Sequence, residues 1–388
     1  MSKIKLTEAC NIVTGKLDAN AAEKKGKYPY FTCAPEPLTI NTFAFDDDVI
    51  LLAGNNASGN FHCQRYKGKF NAYQRTYVIT AKQGYDIEYI YYNLKINLQN
   101  LKKIAQGSQT KFLTMQILDG FQIKDIPIHE QVKATEILAY IDEKIENNNK
   151  INTELELMAK AIYDYWFLQY EFPNENGKPY KSSGGTMVWH EELKREIPEG
   201  WKTGSLYDIA DYINGLACQK YRPVDINKRL PVIKIKEMHD GITESTEFVR
   251  VDIPEKNIIN DGDILFSWSA TLEILIWTGG KGGLNQHIFK VIPKKYAKYY
   301  VYMQLSVYIV NFIYMAEARK TTMGHITTDH LQQSRIVIPP KEITEMYNEK
   351  VQEIFDKIIC NNRQNRELTS LRDFLLPLLM NGQVGFKN

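Results

Sequence analysis

The stretch Ile145–Leu155, which reads IENNNKINTEL, recurs at a shift of 213 as Ile358–Leu368, which reads IICNNRQNREL. One Ile, three Asn, one Glu and one Leu coincide at this shift. Further matches, such as Asp48–Leu52 with Asp263–Ser267, follow in the same order at shifts between 211 and 215. Self-similarity at one long period indicates a repeated structural unit. The sequence therefore predicts two copies of one unit.

Both copies of this stretch lie in segments whose apolar or Asn residues recur at alternating steps of three and four. These positions are Leu138, Ile141, Ile145, Asn148, Asn152 and Leu155 in the first segment, and Val351, Ile354, Ile358, Asn361, Asn365 and Leu368 in the second. Such spacing is typical of a coiled-coil seam, in which Asn lowers stability but fixes register and partner. Antiparallel pairing would bring Asn148 toward Asn365 and Asn152 toward Asn361. The alternative is two amphipathic helices, each packed on its own globule.

A globule of mixed structure precedes each long helix. Strands are predicted at Val49–Ala53, Thr76–Thr80, Asp263–Trp268 and Ile288–Ile292, and helices at Asp86–Ala105 and Ala297–Ala316. We therefore expect an α+β fold, with two globules in pseudo-twofold symmetry separated by two long antiparallel coiled-coil helices.

The predicted boundaries follow from this pattern. They give a first globule at 1–128, a first long helix at 129–171, a linker at 172–200, a second globule at 201–340, and a second long helix with the tail at 341–388. The linker is predicted from composition, because Phe172–Trp201 holds three prolines and four glycines.

Charge is distributed unevenly along the chain, although the formal net charge is only +2. The helical segments Glu130–Asp164 and Glu342–Met380 together hold fifteen acidic and nine basic residues, whereas the remainder holds 39 basic and 31 acidic residues. Basic globules that meet phosphate and acidic helices that meet protein would fit this pattern. Ordinary solvated surfaces would fit it equally well.

The cysteines and the apolar stretches indicate a cytoplasmic protein. Five scattered cysteines without a CxxC pair favour reduced thiols over a disulfide framework or a zinc site. The most apolar stretch, Tyr299–Met315, is interrupted by polar residues and predicts a buried helix, not a membrane span.

Polar and basic clusters at matched places in the two globules are the candidate contacts with DNA. Arg and Lys can form two hydrogen bonds with guanine, and Asn and Gln with adenine. The candidates are Lys16, Asn55, Asn56, Arg65, Tyr66, Lys67, Tyr73, Gln74, Arg75, Ser108, Gln109 and Lys111 in the first globule, and Lys220, Tyr221, Arg222, Lys234, Lys236, Trp268, Gln286, His287, Lys320, Thr321, Thr322 and His325 in the second. A solvated loop would explain any one cluster, but their recurrence favours a functional interpretation.

Motifs for independent catalysis are absent from the sequence. There is no GxxxxGK[ST] phosphate loop and no HExxH. Pro339-Pro340 is not preceded by Asn or Asp, as an amino-methyltransferase tetrapeptide would require, and Ser267–Ser269 lacks a nucleophile-elbow frame. No carboxylate or cysteine accompanies His287 or His325 at ligand spacing, so no metal site is predicted.

Four motifs carry a resemblance to a known family. They are Tyr163–Phe167 (YDYWF), Phe172–Gly185 (FPNENGKPYKSSGG), Ile197–Trp201 (IPEGW) and Leu375–Gly382 (LLPLLMNG). On these motifs, over nearly its whole length, the chain resembles the specificity subunit of type I restriction–modification enzymes. It departs from the pattern in the first unit, which lacks the Pro-x-Gly-Trp lead-in of the second.

The resemblance implies two target-recognition domains that each read one half of a bipartite DNA target, and helices that act as a ruler for the gap. It implies two methylation subunits and restriction subunits as partners. S-adenosylmethionine, ATP and Mg²⁺ would belong to those subunits, so this chain would be non-catalytic and would bind no cofactor. The alternatives are a coiled-coil scaffold with two peptide-binding domains, and a fused enzyme fragment.

Overall fold

The computed structural model describes residues 2–318, 325–381 and 383. The chain forms two compact units: unit 1 is Met1–Ile145 with Glu367–Asn388, and unit 2 is Glu146–Arg366. The two long helices each contribute to both units. Lys320, Thr321 and Thr322, which were predicted to contact DNA, lie outside the described residues.

Unit 1 contains a six-stranded sheet. The strands of the unit are β1 Lys3–Lys5, β2 Cys10–Thr14, β3 Tyr28–Phe31, β4 Leu38–Ile40, β5 Phe45–Ala53, β6 Asn55–Asn56, β7 Cys63–Ala72, β8 Thr76–Ala81, β9 Lys111–Phe112 and β10 Gln122–Lys124. The sheet has the order β2-β8-β5-β7-β3-β4, and only its β3–β7 pair is parallel. Two small antiparallel pairs, β1–β10 and β6–β9, complete the unit.

Helices cover this sheet and close its core. They are α1 Leu6–Ala9, α2 Ile87–Ile96, α3 Leu98–Ile104, α4 Met115–Gly120 and the first part of α5 Ile128–Tyr163. The single helix predicted over Asp86–Ala105 is two helices, because the backbone leaves the helical conformation at Asn97. Buried Leu138 of α5 packs in one core with Leu376, Leu379 and Met380 from the other end of the chain.

Unit 2 holds the remaining strands. They are β11 Met187–His190, β12 Arg195–Pro198, β13 Lys202–Gly204, β14 Ala210–Asn214, β15 Arg229–Ile233, β16 Phe248–Arg250, β17 Ile258–Ile259, β18 Ile264–Ser267, β19 Glu273–Ile276, β20 Gly282–Leu284, β21 Ile288–Pro293 and β22 Ile336–Ile338. They form sheets of order β14-β21-β18-β19 and β16-β15-β20-β17 and the antiparallel pairs β11–β12 and β13–β22.

The helices of unit 2 pack around an aromatic core. They are α6 Leu206–Ile209, α7 Ile235–Asp240, α8 Lys298–Ala318, α9 Thr328–Gln333 and most of α10 Lys341–Met380, while α5 ends in a π-helical turn at Asp164–Leu168. Tyr163, Phe167, Tyr300 and Tyr347 are buried together in this core. None of the helices within the described ranges is both long and apolar enough to cross a membrane.

The two units share one topology, as the repeat predicts. The pair β1–β10 matches β13–β22, and the strand order β2-β8-β5 matches β14-β21-β18. The long strand β7 corresponds to two separate strands, β19 and β20, in unit 2. The strand β2 begins at Cys10 and β14 at Ala210, a shift of 200. The first third of each globule therefore does not follow the shift of 211 to 215 seen in the sequence.

Residues 172–200, for which composition predicts a linker, are folded onto unit 2. They contain the β11–β12 hairpin, and Ile197 is 1% exposed. The ring of Phe172 stacks on Tyr180 at a centroid distance of 4.6 Å and contacts Trp201 at 5.0 Å. The glycines and prolines of this segment therefore serve turns, while its aromatic residues anchor it in the core.

The two long helices pack antiparallel within unit 2. Asn148 Nδ2 donates to Asn365 Oδ1 at 2.8 Å, and Asn361 Nδ2 donates to Asn152 Oδ1 at 2.8 Å. These are the pairs that an antiparallel seam requires, and all twelve predicted seam positions are buried or half-buried. Buried amides that bond each other satisfy their polar groups without water.

Candidate nucleic-acid interface

Hydrogen bonds at the ends of the central strands of unit 1 gather four segments at one place. The amide of Gly54, which follows β5, donates to Arg75 O at 2.8 Å, and Leu113 N donates to Gly54 O at 2.8 Å. The turn before β8 is held by Gln74 N, which donates to Leu17 O at 2.9 Å. We call residues 16–17, 54–56, 73–75 and 111–113 the loop edge of unit 1.

Unit 2 builds the same arrangement from different residues. Trp268 N donates to His287 O at 3.3 Å, and Ile326 N donates to Trp268 O at 3.0 Å. Gln286 N donates to Leu216 O at 2.9 Å, as Gln74 does to Leu17 in unit 1. We call residues 216–217, 268, 285–287 and 325–326 the loop edge of unit 2.

The two loop edges also share a glycine that packs tightly against a backbone carbonyl oxygen. Gly15 N donates to Thr76 O in unit 1, and Gly215 N donates to Ile288 O in unit 2. A Cβ atom on either glycine would lie 2.0 Å from a carbonyl oxygen, that of Ala72 or of Asn285. Only glycine permits this approach, so both units retain it while the surrounding side chains differ.

Several predicted DNA contacts come together at the loop edge of unit 1. Arg75 and Lys16 are exposed there on adjoining segments, and the side chain of Gln74 donates to Asp18 Oδ1 at 2.7 Å. Half-buried Tyr73 lies in the same turn. The β6–β9 pair sets Asn55 and Asn56 opposite Phe112 and Lys111, and the exposed residues Ser108 and Gln109 lie in the loop that leads into β9.

Three predicted contacts in unit 1 have side chains engaged elsewhere. The Arg65 guanidinium is 19% exposed and binds Asp48 at 2.6 Å, Glu88 at 2.8 Å and the Val49 carbonyl oxygen at 2.6 Å. The ring of Tyr66 packs against Phe31 and Phe70. Lys67 is exposed and lies 3.8 Å from Asp48. These contacts show that the side chains of Arg65 and Tyr66 stabilise the sheet, and a contact of either residue with DNA stays a prediction.

Aromatic side chains dominate the loop edge of unit 2. The Trp268 ring lies 5.5 Å from His287 and 5.4 Å from His325, and its Nε1 donates to Asn214 Oδ1 at 3.3 Å. The amide of Gln286 lies 3.2 Å from His287 Nε2. Four residues predicted from separate parts of the sequence therefore form one cluster.

The other predicted contacts of unit 2 differ in whether their side chains are exposed or already bound to another residue. Lys220, Tyr221 and Arg222 follow Leu216 through a 3₁₀ turn, and Lys220 and Arg222 are exposed. Lys234 follows Ile233, whose carbonyl oxygen accepts from Asn285 N, but its ammonium binds Glu247 at 2.8 Å. Exposed Lys236 donates to Ser245 Oγ at 2.5 Å.

Asn214 is a member of this cluster that the sequence did not reveal. It ends β14 at the place where Thr14 ends β2, which again corresponds to a shift of 200. A comparison at a shift of 213 cannot align these two residues. A search for a second shift in the first third of each globule would have found the match.

The loop edges present hydrogen-bonding and aromatic groups. Among the described residues, no group of three or more His, Cys, Asp or Glu side chains could hold a metal ion. All five cysteines are unpaired, and burial raises the pKa of the Cys10 and Cys63 thiols to about 12. Those thiols therefore stay protonated and unreactive at neutral pH.

A family model for the type I restriction modification DNA specificity domain matches residues 1–157 and 198–370. The chain belongs to this family. It is 27% identical over 333 residues to the type I restriction enzyme MjaIX specificity subunit of Methanocaldococcus jannaschii, a match that covers 79% of this chain and 71% of that protein. It is 25% identical over 341 residues to the HindI specificity subunit of Haemophilus influenzae, a match that covers 73% of this chain and 74% of that protein.

A solved structure shows the same fold for a type I specificity subunit. The crystal structure of the type I restriction-modification system S subunit from M. genitalium superposes with a TM-score of 0.60, and the match covers 97% of this chain and 95% of that chain. The two chains are 15% identical, so the likeness concerns the fold. The α+β class and the two-domain organisation expected from the repeat are confirmed.

Proposed function

We propose that this chain is the DNA sequence-recognition subunit of a type I restriction–modification complex. Its globules, 1–128 and 201–340, each read one half of a bipartite target, and the paired helices fix the gap. The observation that carries this proposal is the duplicated loop edge, which keeps one set of backbone hydrogen bonds while its side chains differ. A shared frame with variable side chains suits a module that reads different sequences on one scaffold.

The two halves of the target should be unrelated in sequence. The centre of the loop edge is Gly54 in unit 1 and Trp268 in unit 2, and the neighbouring turn carries Arg75 or His287. A guanidinium can form two hydrogen bonds with guanine, whereas an indole ring offers mainly apolar surface. Two identical readers would bind a palindrome, but these two select an asymmetric pair of half-sites.

Exposed apolar residues on the long helices support their role in docking methylation subunits. In unit 1, Tyr140 is 69% and Phe374 is 65% exposed, and each lies close in sequence to a member of the Asp142–Arg372 ion pair that links the helices. In unit 2, Ile151 and Met158 are exposed two helical turns apart on one face of α5. Exposed apolar patches on soluble proteins mark surfaces that bind other proteins.

The partners would supply the chemistry of the complex in the cytoplasm. We expect two methylation subunits on the helices and restriction subunits outside them. S-adenosylmethionine, ATP and Mg²⁺ would be bound by those subunits, so the isolated chain would transfer no methyl group and cleave no DNA.

Methylome sequencing of a host that expresses this chain with its partner methylation subunit tests the proposal. The expected result is one new adenine-methylated motif with two unrelated halves and a gap of fixed length. Co-expression of the Trp268→Ala variant should alter only one half of that motif. If a competent methylation subunit produces no new motif, the assignment fails.

Salt dependence separates DNA recognition from a peptide-binding scaffold. Binding that replaces cations on phosphates weakens steeply as the salt concentration rises. We expect the logarithm of the affinity of the full chain for a duplex carrying the motif to fall linearly with the logarithm of the salt concentration. Affinity that does not change with salt would instead favour the scaffold.

A further inference from the structure

Trp268 of unit 2 occupies the position that Gly54, which has no side chain, occupies in unit 1. Gly54 and Trp268 make equivalent backbone hydrogen bonds, through Arg75 and Leu113 in unit 1 and through His287 and Ile326 in unit 2. A Cβ atom on Gly54 would lie 2.4 Å from Arg75 O, and the corresponding N–O distance is 2.8 Å in unit 1 but 3.3 Å in unit 2. The two backbone segments are therefore farther apart at this point in unit 2, where the residue has a Cβ atom.

Trp268 is half-buried, and all but one of the atoms of its indole ring are carbon. Its only polar side-chain atom, Nε1, already donates to Asn214 Oδ1 at 3.3 Å, and an indole accepts no hydrogen bond. The ring of Phe289 lies 5.8 Å away at an interplanar angle of 34°, and His325 meets the indole edge-on at 83°. These neighbours hold the ring in place while part of it stays open to solvent.

We infer that Trp268 contacts the 5-methyl group of a thymine in the half-site bound by unit 2. This inference rests on the proposed function and names one base contact within it. On the major-groove edges of the four bases, the thymine methyl is the only alkyl group. Phosphates and the other base edges are polar and would lose their hydration against bare carbon.

The neighbours of Trp268 can read polar atoms beside that methyl group. The amide of Gln286 and the ring of His287 lie 3.2 Å apart and adjoin the indole. In unit 1 the equivalent centre is Gly54, which has no side chain to make an apolar contact of this kind. Recognition of a methyl group by the residue at this position therefore belongs to the second half-site.

Replacement of thymine by deoxyuridine removes the methyl group and leaves every hydrogen-bonding atom of the base. Duplexes with this change at each thymine of the motif, one at a time, are titrated with the full chain in complex with its methylation subunit. We expect about fourfold weaker binding at one position of the second half-site, the factor expected for burial of one methyl group. Trp268→Ala should bind both duplexes equally.

A second variant protects the test against a folding defect. Trp268→Gln keeps a longer side chain than alanine but a polar one, and it should also fail to distinguish thymine from deoxyuridine. Substitutions in the first half-site should affect both variants and the original protein alike, which shows that unit 1 remains intact.

The outcomes separate this inference from the proposed function. If both half-sites are bound specifically but no thymine of the second half is sensitive, or if Trp268→Ala keeps the discrimination, the thymine contact is wrong and the function stands. If the second half-site contains no thymine on either strand, the thymine contact is again wrong and the proposed function stands. Absence of any sequence-specific binding by the unaltered complex would contradict the proposed function itself.

Discussion

Two arginines of unit 1, Arg65 and Arg75, have different surroundings, which their residue type does not reveal. Arg65 lies within β7, where Asp48 and Glu88 bind its guanidinium from neighbouring elements. Arg75 lies in the turn before β8, where its carbonyl oxygen holds Gly54 and its side chain is exposed. Residue type alone cannot separate the two, because the difference depends on which acids the fold brings close.

The contrast gives a paired prediction. Arg75→Ala should weaken binding at the first half-site by about 1–3 kcal/mol and leave the second half unchanged. Arg65→Ala should instead lower the free energy of unfolding, because Asp48 and Glu88 would lose the hydrogen bonds of its guanidinium. Binding is measured with duplexes altered in one half at a time, and unfolding with urea. Equal loss at both halves for Arg75→Ala would show that it does not read a base.

The asparagine pairs of the seam form the clearest feature at the scale of elements. Asn361 is 2% exposed and donates to Asn152 Oδ1, while Asn152 Nδ2 donates to Asn362 Oδ1 at 2.7 Å. The alternating steps of three and four predict this arrangement, because an antiparallel pair with matched heptads has only a few possible registers. The hydrogen bonds make registers that separate the amides unfavourable.

A double-mutant cycle tests this interpretation of the seam. Asn152→Leu should destabilise the chain by about 1–3 kcal/mol, since it leaves the buried Asn361 amide without an acceptor. The double change Asn152→Leu with Asn361→Leu should recover that loss and exceed the original stability, at the cost of a defined register. Exposed Asn147→Leu is the control. Additive single and double effects in urea unfolding would contradict the coupling.

The long helices make different side-chain contacts in the two units: an ion pair in unit 1 and an aromatic stack in unit 2. In unit 1, Asp142 accepts from Arg372 at 2.8 Å and from the Tyr92 hydroxyl at 2.9 Å. The repeat, at its shift of 213, matches Asp142 with Phe355, whose ring stacks on Tyr299 at 4.2 Å in unit 2. Burial favours a raised pKa for Asp142, but Arg372, Lys95 and Tyr92 outweigh it and lower that pKa.

A lowered carboxyl pKa predicts a pH-dependent contribution to stability. It is present above the ordinary value of 3.8 and is lost as the pH falls through that value and below it. Asp142→Asn should therefore destabilise unit 1 by about 1–3 kcal/mol at neutral pH. Thermal unfolding followed from pH 7 to about pH 3 should show the two proteins converge. A constant difference across this range would exclude the ion pair as its cause.

At the scale of the whole molecule, the repeat predicted the number of globules, the helices and the antiparallel seam. It did not predict how residues 172–200 fold, because prolines and glycines serve both linkers and turns, and burial of Phe172 and Trp201 depends on distant partners. Nor did it find Asn214, whose match in unit 1 lies at a different shift. Local periodicity is visible in a sequence, whereas contacts between remote segments are not.

Removal of the residues after Arg366 should damage one unit and spare the other. Unit 1 would lose Leu376, Leu379 and Met380 from its core and Arg372 from Asp142. Three buried apolar side chains at about 1.5–3 kcal/mol each are a large share of a domain's stability. Hydrogen exchange should therefore rise across residues 2–145 and stay low in unit 2. Uniform protection of both units would contradict this assignment of the tail.

Because unit 1 consists of two separate parts of the chain, the two units complete their folding in a fixed order during synthesis. Unit 2 is one continuous stretch, Glu146–Arg366, so it can finish folding once that stretch has left the exit tunnel. Unit 1 begins earlier in the chain, yet Leu376, Leu379 and Met380 of its core are synthesised only after the whole of unit 2. The globule translated first is therefore completed last, and until then the part of its core that packs against Leu376, Leu379 and Met380 stays uncovered.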